Sequence, residues 1–295
     1  MRDNTHTRAL EREGSTENTR VVRQPAGSEG SRVRRVAFRI LAVLVSLSLL
    51  VLMVFSLMEV VLMWLTWDTL MSFIDDLPAG DEIHRAHFNM IGIVAWALVA
   101  FVLVQLRRPE RRVASMLGAA GIVITGMAVY GLSGTLSEWL IEDVLPVIFV
   151  VGLAILHPRA RDMLRLPKLD RPMAMLVAAA AMPWIVFAVD QALTQFRYAA
   201  GDSHSELEHW ATAALMAVTI VWSGLIGSSD HPGWRLPAWI AVLASIEYGV
   251  HSLVFPDMAS SASTVWAVAA IGWGVAFAAA TVRRSRLYRQ RIVAP

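Results

Sequence analysis

Two short segments concentrate the residues that could do chemistry. Asp81-Glu82-Ile83-His84-Arg85-Ala86-His87 and His204-Ser205-Glu206-Leu207-Glu208-His209 each bring imidazole and carboxylate within about one helical turn. If each segment enters a helix, His84 and His87 are i, i+3 neighbours, as are Glu206 and His209, and each pair presents two donor atoms on one face. Imidazole with carboxylate suits a divalent transition metal, zinc or manganese foremost, better than calcium or magnesium. No H-E-x-x-H or related zinc-hydrolase pattern is present, so the expectation rests on placement. Each cluster also has an acid nineteen residues before its last histidine, Asp68 before His87 and Asp190 before His209. The expected metal ligands are Asp68, His84, His87, Asp190, Glu206 and His209, with His204, Glu247 and His251 as second choices.

Glu247 and His251 stand one turn apart inside an apolar stretch, Glu247 about 16 Å along it at 1.5 Å per residue. A charge at the bilayer centre costs about 2.5 to 3.5 kcal/mol on insertion scales, so such residues face the bundle interior and a partner. The pair supports an alternative function, a proton-coupled transporter of a small solute. Its plain reading is a buried pair that fixes packing.

These residues need membrane helices to hold them. The chain has 295 residues, 56% apolar and 17% charged, with a mean hydropathy of +0.53. Globular chains are about 45 to 50% apolar and about 25% charged. Eight apolar stretches carry the excess: Ile40 to Trp67, Phe88 to Leu106, Val113 to Leu132, Val144 to Leu156, Met173 to Val189, Trp210 to Gly227, Leu236 to Phe255 and Thr264 to Val282. They predict an all-α, polytopic bundle of eight transmembrane helices. Trp139 to Ile141 could extend the short fourth span, and Trp64, Trp67, Trp139 and Trp210 fall where an outer aromatic belt would lie. Residues 1–35 are polar and charged, read as a disordered tail. The apolar block after them is too extended for a cleavable signal peptide.

Lys and Arg set the orientation. With the N-terminus inside, 24 of the 26 basic residues lie on the cytoplasmic side, leaving Arg85 and Arg197 outside. An even number of spans then gives an inner-membrane protein with both termini cytoplasmic, its basic face against anionic lipid. No aromatic-interleaved basic domain suggests nucleic-acid binding. Five histidines, His84, His87, His204, His209 and His251, fall among the outer acids.

A shift of 122 residues places spans two to four over six to eight, and brings Asp68 onto Asp190, His84 onto Glu206 and His87 onto His209. Tyr130-Gly131 and Tyr248-Gly249 recur at 118. The expected organisation is a 4+4 repeat: tail 1–35, first half 36–160, second half 161–283 and basic tail 284–295. Halves with even span counts share one topology, so their pseudo-twofold axis runs along the membrane normal.

Glu82-Ile83-His84-Arg85 is similar to the haem A synthase pattern, a family also built of eight helices as 4+4. That resemblance implies haem ligation by paired histidines. Here the Glu stands two rather than three residues before the His, and spans four and eight contain no His. The haem alternative therefore falls to His87 and His209, one from each half. Gly131-Leu132-Ser133-Gly134 resembles the nucleophile motif of rhomboid intramembrane proteases, but the nearest histidine that could serve, His251, is 118 residues away. The absence of cysteine removes thiolate sites. The single lysine, Lys168, lies in an inner loop, which excludes a retinal Schiff base.

Overall fold

A computed structural model describes residues 32–51, 54, 81–198, 208–258 and 260–293, without the side chains of 81–88, 138–143, 289 and 291–293. Asp68, His204 and Glu206, the side chains of His84 and His87, and most of the tail 1–35 lie outside the described residues. The helices are α1 (32–51), α2 (Asp81–Leu103), α3 (Val113–Ser133), α4 (Leu136–Leu156), α5 (Arg171–Arg197), α6 (His209–Ser228), α7 (Arg235–Val254) and α8 (Thr264–Val293). The described residues form no strand, only an isolated bridge between Leu169 and Ser229. Among the described residues, six helices, α2, α3 and α5 to α8, are long and apolar enough to cross a membrane, whereas the apolar part of α4 is Val144–Leu156.

Local chemistry explains where these helices start and stop. Asp170 caps α5 by accepting a hydrogen bond from Met173 N at 3.3 Å, and Pro172 occupies the first turn, where its missing N–H costs nothing. α5 then runs two turns past Val189 to Arg197, and α8 continues past Val282 to Val293. Arginine and glutamine are good helix formers, so the basic stretch 284–293 extends α8. The motif-bearing Ser133 closes α3, its hydroxyl buried and donating to Val129 O at 2.8 Å. That contact makes it a helix-end residue.

In the second half each helix packs on the next, α5 on α6, α6 on α7 and α7 on α8, and α8 returns to α5. α2 and α3 lie against α6 and α7, and α4 lies against α3. The central element is α6, with 78% of its span buried, against 28% in α5 and α8. The outer helices turn Met175, Met182, Val265 and Val275 outward, as a lipid-facing surface requires. α3 and α6 approach closely because Gly121 has no side chain: a Cβ there would overlap the Trp222 indole, whose Nε1–H donates to Leu117 O at 3.0 Å.

The basic loops gather at one end of the bundle. Ala114 N donates to Pro232 O (3.0 Å), Asp230 N to Lys168 O (2.9 Å), and Arg34 of α1 to Ile155 O (2.6 Å) at the end of α4. α2 therefore ends, and α7 begins, at this basic end. The head of α2 and the tail of α7 share the opposite end.

Candidate functional site

The opposite end holds a cluster of buried polar side chains. His209 opens α6, is fully buried, and is hydrogen-bonded through Nε2 to Ser260 Oγ at 2.5 Å. Ser260 O in turn accepts from the Tyr248 hydroxyl at 2.9 Å. Tyr248 is packed edge-on by Trp184 and Phe187 of α5, and its ring is stacked against His251. One short loop segment thus ties α6 to α7.

Helical geometry fixes where Glu247 and His251 point. Residues advance about 100° each around a helix. Ser245 donates to Ala270 O of α8 at 2.8 Å, and Tyr248 faces α5. Glu247 and His251 fall together on the side of α7 turned away from α8, where, besides α5 at Tyr248, the helices packed on α7 are α6, α2 and α3. Glu247 Oε2 and both ring nitrogens of His251 are buried with no hydrogen-bond partner among the described residues. Such groups are costly unless something satisfies them.

Of the other expected ligands, only Asp190 and His209 have described side chains. Asp190 is exposed on α5 and lines a cavity of about 610 Å³ between α5, α7 and α8, walled by Trp184, Phe187, Tyr248, Trp266 and Trp273. Among the described residues, no group of three or more His, Asp or Glu could hold a metal. Trp210, expected in an aromatic belt, is instead buried, its ring 5.7 Å from that of Tyr198. The extra turns of α5 bring Tyr198 over the head of α6 and remove Trp210 from the interface.

Sequence spacing did not single out Ser260 or Gln191. Ser260 sits in a polar loop like many others, and only the fold brings it between His209 and Tyr248. Gln191 Oε1 is buried with no hydrogen-bond partner among the described residues, and Gln191 lines the aromatic cavity. A polar residue in an apolar run was its one signal. Comparison with protein-family models, with curated proteins and with solved structures finds no match for this chain.

Proposed function

We propose that this membrane protein binds a divalent transition cation, zinc or manganese, in a site at the end opposite the basic loops, anchored by Glu247 and His251. The observation that carries the reading is the pair itself: three buried ligand atoms one turn apart on one face of α7, with no hydrogen-bond partner among the described residues. Two ligands are too few for a stable site. α2, whose first two turns carry His84 and His87, packs on α7 and begins at the same end. These histidines are the natural source of the remaining ligands. His209 serves as a positioning residue through Ser260, and a bis-His haem would require it to give up that bond.

The packing among α2, α3, α6 and α7 also supports the 4+4 reading, because α3 on α6 and α2 on α7 are the pairs that a twofold would exchange. The basic end then faces the cytoplasm of an inner membrane, by the charge rule.

One observation favours proton-coupled transport instead. Thr212, Thr219 and Ser223 are buried hydroxyls with no hydrogen-bond partner among the described residues, spaced seven and four residues apart, forming a stripe about 16 Å long down α6. An apolar layer of Ile226, Trp234, Ala238 and Val242 lies beyond it, which favours a one-sided site over a through-path.

Metal analysis and a visible spectrum of the purified full-length protein test these readings. One zinc or manganese per chain, lost in both Glu247→Gln and His251→Ala, is the expected result. A wild-type protein that neither retains nor takes up these ions overturns the metal reading. A Soret band would select haem, and proton uptake into proteoliposomes, abolished by Glu247→Gln, would select transport.

A further inference from the structure

The basic end encloses a second cavity, of about 900 Å³, between the α2–α3, α4–α5 and α6–α7 connections and the end of α8. Eight cationic side chains line it against two carboxylates, Asp170 and Asp230. Both carboxylates are already engaged. Asp230 accepts from Arg165 Nη2 (2.9 Å) and from Lys168 N (3.1 Å), while Asp170 caps α5 and lies 3.8 Å from Arg284. Burial works to raise the Asp230 carboxyl, but the Arg165 and Lys168 hydrogen bonds outweigh it and hold the group below its usual range.

Three of the cations are also committed. Arg284 donates to Gly227 O and Ser229 O (3.0 and 2.8 Å) and lies 3.9 Å over the Trp234 ring. Arg235 donates to Ser285 Oγ at 3.2 Å, and Arg159 is paired with Asp162. Arg107, Arg108, Arg111, Arg112 and Lys168 have no carboxylate partner among the described residues, and Arg112 Nε is buried without a hydrogen bond.

A second, independent feature points into the same space. His231 lines the cavity, is 1% exposed, and its Nδ1 has no hydrogen-bond partner among the described residues. Burial, and after it the Arg165 charge, lowers the proton affinity of this imidazole, which favours the neutral ring that can share a hydrogen bond with a ligand. The arginines are placed before any ligand arrives. Gly233 adopts φ +88°, and a Cβ there would meet Arg111 O at 2.9 Å and Arg112 Cα at 3.1 Å, so the α6–α7 connection is pressed onto the arginine loop.

We infer that this cavity is a binding site for a phosphate-bearing ligand, held by Arg107, Arg108, Arg111, Arg112 and Lys168 with His231 at its base. Guanidinium forks match phosphate oxygens in pairs. Several cations with no protein counter-charge fit a di- or polyanion better than a single carboxylate. The volume exceeds that of one phosphate, and Leu287 and Tyr288 add an apolar rim. The headgroup of an anionic phospholipid and a soluble phosphate ester share this chemistry. The site is independent of the cation site at the other end.

Calorimetric titration of the full-length protein in neutral detergent tests the inference in two arms. One arm uses pyrophosphate and the other mixed micelles of phosphatidylglycerol. Saturable binding of about one ligand per chain is expected in at least one arm, and the tighter arm identifies the source. Arg111→Gln/Lys168→Gln, both exposed positions, should weaken it at least about ten-fold. The control Arg283→Gln/Arg286→Gln, which removes equal charge from α8 outside the cavity, should leave it within about two-fold. No binding in either arm overturns the site. Equal weakening in both double variants does so as well, because it would mean diffuse surface charge.

Discussion

His157 shows what burial does to one residue at the basic end. Its Nδ1 accepts from Arg159 N (3.1 Å), and its Nε2 faces Pro109 O at 3.2 Å. That pattern requires the neutral Nε2–H tautomer. Burial pushes its pKa down to about 4, with the Pro109 carbonyl opposing. The unfolded chain therefore binds more protons between about pH 6.5 and 4, and stability from this group is complete above that window and lost as pH falls through it. At about 1.4 kcal/mol per pH unit the effect over this window is about 3.5 kcal/mol. The unfolding midpoint of the wild type in detergent should fall across this window, and His157→Gln should flatten the fall. Identical pH profiles for the two proteins would contradict this assignment. At the same scale, Gly233→Ala combines an unfavourable backbone angle with a clash on the arginine loop, and should cost about 1 to 3 kcal/mol in thermal stability. An unchanged midpoint would mean that the two connections are not pressed together.

Residue identity carried part of the site but not its grouping. Glu247 and His251 were legible because ionisable groups are expensive in an apolar run, and their one-turn spacing survives in any helix. The link from His209 to Ser260 was not, because hydrogen bonding between distant segments leaves no local pattern. Asp190 was chosen from its spacing to His209, yet it sits exposed on α5, because spacing across a loop does not fix facing.

Element boundaries were legible where hydropathy and helix coincide, as for α3, α6 and α7. They were missed where a helix outruns its apolar part. The rise in polarity after Val189 and after Val282 ends the membrane signal, but the backbone hydrogen bonding of α5 and α8 continues through residues that favour helix. Contact between elements depends on small residues, which composition suggested only in general terms. Gly121→Val would drive a side chain into Trp222 and part α3 from α6. Overpacking of this kind costs about 1 to 3 kcal/mol, so the unfolding midpoint should drop, and more than in Gly92→Val, where a Cβ meets open space. Equal drops in the two variants would remove Gly121 from the interface.

At the scale of the whole molecule, charge asymmetry was the most legible feature, since the scattered basic segments do meet at one end. The absence of cysteine makes orientation directly measurable. A single cysteine at Asp257, exposed at the end opposite the basic loops, should react with a membrane-impermeant maleimide added to intact cells. A cysteine at Arg111 should react only after lysis. The reverse pattern would invert the topology.

The proposed cation site on Glu247 and His251 lies at the end opposite the basic cavity. X-ray absorption at the zinc edge of protein loaded with one equivalent of zinc tests it most directly. Nitrogen and oxygen ligands at about 2.0 to 2.1 Å with imidazole scattering are expected, the imidazole contribution falling in His251→Ala. A spectrum that is the same in wild type and His251→Ala, or that shows only water-like oxygen ligands, would contradict the site.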